Sequence, residues 1–295
     1  MGKYKDSSSN ISLFGALLRA RRKFGGKKVA IVDADDRELT YTDMVRASIA
    51  LGSVLKEGTK AKEHVGILLP TGAGALLAFF ALQSTGRVPA MLNFTAGTHN
   101  LLAAFKAAQI KKVITAHQFI KLANLEPLIE KLEPHVEFIY LEDVRKKIGK
   151  KEKIKALLGS FIPRPFIAHP NYNSTGVVLF TSGTEGDPKG VVLSHKNLVA
   201  NCMQVRAHID DLHPDKDIIF NPLPTFHCFG LTGGALLPIF IGLKVALYPS
   251  PLHVKIIPQR IKEVGATIAF ATDTFLSRYA RAGKEGDLSS LRFVV

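Results

Sequence analysis

The stretch Leu179–Gly190, LFTSGTEGDPKG, concentrates groups that hold phosphate, and it directly follows the apolar run GVVLF. Gly183, Gly186 and Gly190 leave their backbone N–H groups unobstructed, Thr181, Ser182 and Thr184 supply hydroxyls, and Lys189 supplies a cation. A polyphosphate matches that set, because small residues let the backbone approach while N–H, O–H and ammonium donors meet anionic oxygens. At roughly 1.5–3 kcal/mol for each charge-assisted hydrogen bond, about four or five would hold a nucleotide tail. The bland alternative is a glycine turn between two strands, and such a turn has no use for three hydroxyls and a lysine within nine residues. The stretch is not the common G-x-x-x-x-G-K-[ST] phosphate loop. Lys189 follows Pro188, and Gly190 and a strand come next rather than a helix.

A second concentration is Pro222–Leu231, PLPTFHCFGL, at the end of another apolar run. It contains His227, whose bland reading is a satisfied buried histidine at a strand end. Cys228 follows it, but side chains of consecutive residues seldom point at each other, so Cys228 is expected in the core. The glycines at 230, 233 and 234 suit either a ligand pocket or close helix packing. The remaining histidines show no HExxH or comparable metal-ligand spacing.

These candidates sit on an alternation of short apolar runs and helical patterns. KKVAIVDADD with RELTYT reads as a hairpin, followed by a helix over Asp43–Glu57 capped by Thr42. HVGILLP, VPAML, KKVIT and VEFIYL read as strands, separated by helices over Gly74–Ser84, HNLLAAFKAAQ and Gln118–Lys131. The pattern restarts with GVVLFT and GVVLSH as strands and a helix over Lys196–Ile209 capped by Ser194. DIIFNPLP, KVALYP, TIAFAT and LRFVV follow as strands, with helices over Gly230–Ile241, Val254–Val264 and Asp273–Ala282. The expected fold is α/β, two mostly parallel sheets flanked by helices, with ligands at the carboxyl ends of the strands. The proline-rich FIPRPFIAHPNYNSTG divides it into a first subdomain at 10–165 and a second at 166–295 that carries the phosphate loop. No internal repeat is visible in the sequence. LRFVV looks like a central strand, and ending there suggests a piece of a longer polypeptide.

Bulk properties narrow the partners. The 295 residues carry a net charge of +14, which favours acidic partners. Glu142–Arg164 holds eight basic and three acidic residues, read either as a solvated helix or mobile loop, or as a patch for an anionic membrane surface or acidic protein. Nucleic acid is excluded as a partner, since Phe161 is the one aromatic in that run and no stacking platform exists. Two cysteines without CxxC spacing fit the reducing cytoplasm, with the inner face of the cell membrane as the alternative. The N-terminus MGKYKDSSSN lacks the apolar core of a secretory signal. Val65–Gly86 is uncharged and of membrane length, but Pro70-Thr71-Gly72 breaks it into a buried strand and a core helix.

LFTSGTEGDPKGV resembles the signature loop of the adenylate-forming superfamily, which includes acyl-CoA synthetases, acyl-carrier-protein synthetases, luciferases and peptide-synthetase adenylation domains. PLPTFHCFGL resembles its P-x-F-H-x-x-G segment beside the acyl pocket. SHKNLVAN and RELTYTDM also fit, so the likeness covers the chain from about Ile11 onward. Glu185 departs from the pattern, where many members have threonine, and its carboxylate is expected to face solvent. FTSGTEGDPKGVVLSHKN, FHCFGLTGG, LYPSPLH and TFLSRYAR most resemble the synthetase half of bifunctional 2-acylglycerophosphoethanolamine acyltransferase/acyl-acyl-carrier-protein synthetases.

The resemblance implies ATP and Mg²⁺, a fatty acid substrate, and acyl carrier protein or coenzyme A as acceptor. It implies that Thr181, Ser182, Gly183, Thr184, Glu185, Gly186 and Lys189 surround the β- and γ-phosphates, with Thr184 also touching Mg²⁺. His227 would stand beside the reacting carboxylate as the catalytic residue, with Phe226, Phe229 and Gly230 along the acyl chain. The superfamily's adenine-contacting segments, acidic metal partner, ribose-binding Asp and mobile C-terminal domain would lie beyond Val295. The chain alone is therefore expected not to turn over. The competing class is a non-catalytic membrane-surface or carrier-protein binding module.

Overall fold

The computed structural model describes residues 6–181 and 187–295. Among them are twelve strands: β1 Val29–Val32, β2 Glu38–Thr40, β3 His64–Ile67, β4 Val88–Met91, β5 Lys112–Thr115, β6 Glu137–Tyr140, β7 Thr175–Thr181, β8 Lys189–Ser194, β9 Ile218–Asn221, β10 Lys244–Leu247, β11 Ile268–Ala269 and β12 Phe293–Val294. They form two six-stranded sheets, ordered β6-β5-β3-β4-β7-β8 and β12-β11-β9-β10-β1-β2. Every pairing is parallel except β1 with β2 and β7 with β8, as the α/β alternation predicts.

The two sheets repeat one topology. Each has four consecutive strands in the same spatial order and ends in an antiparallel hairpin. No sequence repeat announces this, because the shared feature is strand pairing rather than residue identity. The hairpin β1–β2 joins the sheet of β9–β12, while β7–β8 join the sheet of β3–β6. A division at 165/166 therefore cuts across both sheets, and the expected units 10–165 and 166–295 do not coincide with them.

The inner strands β1, β3, β4, β5, β9 and β10 are short and apolar because both faces are covered, whereas β2, β6 and β8 are largely exposed or half-buried. The helix Ala73–Ser84 is apolar all round and belongs to the main core cluster, with Phe79 and Phe80 fully buried. Val65–Gly86 thus resolves into strand, break and core helix, and among the described residues no helix is long and apolar enough to cross a membrane. Asp217, buried at the start of β9, accepts two 2.9 Å hydrogen bonds from Arg292 and one of 2.7 Å from Thr267, tying β9 to β11 and β12.

Several expectations shift. The second helix runs Tyr41–Leu55, and its cap is Thr40 rather than Thr42. Thr40 and Asp43 form a reciprocal capping box there, while the Thr42 hydroxyl accepts from Arg21. The pattern over Gln118–Lys131 is two helices, His117–Leu122 and Glu126–Leu132, separated where Asn124 takes a positive φ of 51°. Gly230–Ile241 is not one α-helix: Phe229–Leu236 winds as a π-helix before the α-helix Leu237–Ile241. The helix expected from Val254 starts at Ile257. Among the described residues β12 pairs with β11.

Candidate active site

Strand β7 ends at Thr181, which pairs across the antiparallel ladder with Lys189 at the start of β8. Both residues are exposed, and Lys189 has no ion-pair partner among the described residues. The sequence-predicted residues Ser182, Gly183, Thr184, Glu185 and Gly186 lie outside the described residues. Beyond them Asp187 approaches His99 at 3.7 Å, so the helix Gly97–Ala108 flanks this end of the sheet. A hydroxyl and an ammonium without an ion-pair partner among the described residues, at one ladder end, fit an anionic phosphate. For Mg²⁺ the described residues offer no cluster of three His, Cys, Asp or Glu.

His195 begins the helix His195–His208 that follows β8, and Ser194 caps that helix as expected. Its ring is buried, and Nδ1 accepts a hydrogen bond from Leu13 N–H. Burial pushes its pKa down from 6.5 to about 4, so the ring is neutral at pH 7. Between those values the unfolded chain binds a proton that the folded chain refuses. Stability is therefore expected to fall on acidification across this window, by up to about 1.4 kcal/mol per pH unit. Denaturant titrations of His195→Gln should show a flatter pH dependence; an unchanged slope would remove His195 as the cause.

The second motif follows β9. Asn221, fully buried at the strand end, accepts from Leu223 N–H at 3.1 Å and donates to the Gly230 carbonyl at 3.1 Å, bracing both ends of the loop. Thr71, in the loop after β3, donates to the Leu223 carbonyl at 2.9 Å and accepts from Thr225 N–H at 3.0 Å. Phe226, half-buried, meets Phe94 edge to face with ring centres 5.4 Å apart. Phe94 follows β4, the neighbour of β7. These links bring the carboxyl ends of β3 and β4 in one sheet against that of β9 in the other. The Thr181–Lys189 ladder end and the Phe226–His227 loop therefore belong to one seam, where α/β sheets bind ligands.

His227 is exposed, not a buried histidine at a strand end, and its Nδ1 accepts from Phe229 N–H at 3.3 Å. Cys228 is exposed as well, contrary to the core position expected. Its sulfur lies 4.0 Å from His227 Nδ1, because the chain turns into a helix there instead of alternating as a strand would. Cys228, half-buried Phe229 and Gly233 line an apolar cavity of about 380 Å³, closed by Val205, Leu212 and Phe270. Gly230, fully buried, faces the Pro224 carbonyl rather than this cavity. Sequence reasoning did not reach Thr71, Phe94 and Asn221. A polar residue closing the apolar run DIIFN was a usable signal for Asn221; the partners of Thr71 and Phe94 lie too far along the chain to be read.

The sequence model of the AMP-binding enzyme family matches residues 18–295. The chain belongs to the AMP-binding enzyme family. Among its relatives is a long-chain-fatty-acid–CoA ligase of Bacillus subtilis (strain 168), 24% identical over 242 residues, covering 72% of this chain and 42% of that protein. Another is an acetyl-coenzyme A synthetase of Mycobacterium tuberculosis (strain ATCC 25618 / H37Rv), 28% identical over 291 residues and covering 88% and 43%. The chain thus spans less than half the length of these curated relatives. The solved structure of o-succinylbenzoate CoA synthetase from Bacillus subtilis superposes with a TM-score of 0.78 at 20% identity, over 95% of this chain and 52% of that one. That likeness identifies the fold as the N-terminal part of the adenylate-forming enzymes.

Proposed function

We propose that this chain is the phosphate- and acyl-binding part of an ATP-dependent acid–thiol ligase acting on fatty acids. The observation that carries this reading is the apolar cavity lined by Cys228 and Phe229, which directly follow His227 on the seam that also holds Lys189. A carboxylate whose chain fills the cavity would present its oxygens at His227. Bound ATP supplies the electrophilic α-phosphorus and the pyrophosphate leaving group. Lys189, Thr181 and the intervening residues would hold the departing phosphates, Thr184 would be the residue that meets Mg²⁺, which neutralises phosphate charge when bound, and His227 would orient the carboxylate; the product is acyl-AMP. A phosphopantetheine thiol then displaces AMP.

The acceptor follows from which likeness carries more weight. The names of the relatives favour coenzyme A. The short-segment likeness to the bifunctional acyltransferase/acyl-acyl-carrier-protein synthetases favours acyl carrier protein, and a net charge of +14 suits both anionic acceptors. Thioester formation by the complete gene product with each acceptor decides: a faster rate with the carrier protein bears out the short-segment likeness, and a faster rate with coenzyme A overturns it.

The cavity itself is testable on the chain. A volume of about 380 Å³ lies in the usual range of small-molecule sites. Gly233→Leu places a side chain among Phe229 and Phe270, whose rings would stand 3.1 and 3.8 Å from its Cβ. Displacement of a fluorescent fatty acid should then require at least about tenfold more of a sixteen-carbon acid, roughly the worth of two buried methylenes. An unchanged affinity would show that the acyl chain lies elsewhere.

A further inference from the structure

The basic run folds as two helices, Leu141–Lys147 and Lys150–Phe161. The second presents its large apolar side chains to solvent. Ile154 is 56% exposed, Leu157 46%, Leu158 51% and Phe161 69%, and Ile162 just past its end is 65% exposed. These are five of the twelve large apolar side chains exposed among the described residues, and the helical four follow the i, i+3, i+4, i+7 spacing of a single face. The inward face is made of small residues, Ala156, Gly159 and Ser160. Gly159 allows this, since a Cβ there would stand 2.8 Å from Ile49 on the helix Tyr41–Leu55. A merely solvated helix would do the reverse, burying its leucines and exposing its lysines.

Charge frames the apolar stripe. Exposed Lys150, Lys151 and Lys153 and half-exposed Lys155 share the helix, and Arg145, Lys146 and Lys147 end the one before it. The Arg46 guanidinium lies 5.9 Å from the centre of the Phe161 ring and donates to Ser160 Oγ, adding a cation beside the most exposed apolar residue. Glu152, the helix's one acid, is occupied at its N-terminus by the Gly149 N–H at 3.0 Å.

We infer that this face docks on an anionic lipid bilayer, with Ile154, Leu157, Leu158, Phe161 and Ile162 entering the headgroup–acyl boundary and the lysines meeting lipid phosphates. An apolar stripe with lysines on its flanks is the arrangement of helices that lie in the membrane interface. A second copy is disfavoured, because it would bring two lysine clusters face to face. An acidic protein would answer the lysines but leave the protruding apolar row without a counterpart. The inference stands independently of the acyl-ligase reading, although a lipid surface is also where fatty acids partition.

Co-sedimentation of the full chain with vesicles tests it. Phosphatidylcholine alone is compared with equimolar phosphatidylcholine and phosphatidylglycerol. Wild type is expected to bind the anionic vesicles at least about tenfold more strongly, and to be released as salt rises. Changing Lys151, Lys153 and Lys155 together to Gln should lower that binding about a hundredfold, taking roughly tenfold or less for each lysine. Leu157→Ser with Phe161→Ser should abolish it at low salt too. The side chains removed are mostly solvent-facing, so thermal melting should verify that both variants remain folded. Wild type failing to sediment with the anionic vesicles, or variants binding them as wild type does, would overturn the inference. So would a salt-sensitive dimer in sedimentation velocity that Leu157→Ser with Phe161→Ser dissociates, or binding to an acidic carrier protein, without vesicle binding, that the lysine changes remove.

Discussion

Lys189→Ala is expected to lower ATP–pyrophosphate exchange by the complete gene product at least about a hundredfold while leaving its thermal stability unchanged. Lys189 is exposed at the first residue of β8 and has no ion-pair partner among the described residues, so its removal leaves no buried group unsatisfied. Surface substitutions of that kind usually stay within about 0.5 kcal/mol of wild type. The expected catalytic loss has a different origin. A lysine beside departing phosphates makes charge-assisted hydrogen bonds whose loss costs roughly 1.5–3 kcal/mol each, and a preorganised donor at a charge-developing centre is worth about 10²–10³ in rate. Lys189→Arg keeps the charge but not the compact ammonium, and should recover part of the rate. Exchange that persists at the wild-type rate in Lys189→Ala would show that the Thr181–Lys189 ladder end does not hold phosphate. Gly183→Val tests the same assignment from the backbone side and should also abolish exchange.

A phosphate reading of that stretch was open to the sequence because it depends on residue types at local spacing. Hydroxyls, glycines and a lysine between two apolar runs need no tertiary information to suggest phosphate. The strands were legible for the same reason, since VAIV and VVLF are apolar runs bounded by charged or glycine-containing stretches. What the sequence concealed is non-local. Val32 pairs with Ala246, and Thr71 bonds to Leu223 and Thr225, so both the exchange of hairpins between the sheets and the seam joining the two motifs depend on distant partners. Cys228 is exposed rather than in the core because a π-helix begins at the next residue and turns the chain there, bringing its sulfur beside His227. The stripe at Ile154–Ile162 was hidden by its own composition: leucines at helical spacing ordinarily point inward, and Gly159 is what allows the opposite.

Gly230→Ala is expected to unfold the seam rather than merely narrow a pocket. A Cβ on Gly230 would stand 2.2 Å from the Pro224 carbonyl oxygen, 2.8 Å from its carbon and 2.9 Å from the Leu223 carbonyl oxygen. All three contacts are backbone, so no rotamer change relieves them. Either the 222–228 loop moves, pulling Leu223 and Thr225 away from Thr71, or the π-helix shifts and breaks the bond from Asn221 to the Gly230 carbonyl. Overpacking of this kind costs about 1–3 kcal/mol and occasionally more. With about 2–4 °C per kcal/mol for a domain approaching this size, a drop in Tm of roughly 5–10 °C is expected. Gly190→Ala is the matched control, because its Cβ would meet Val178 at 3.5 Å, an ordinary contact. It should melt as wild type does. If Gly230→Ala also melted normally while losing exchange activity, Gly230 would instead be lining a ligand, as its motif first suggested. If it melted early, His227 would owe its placement to a glycine that touches no substrate.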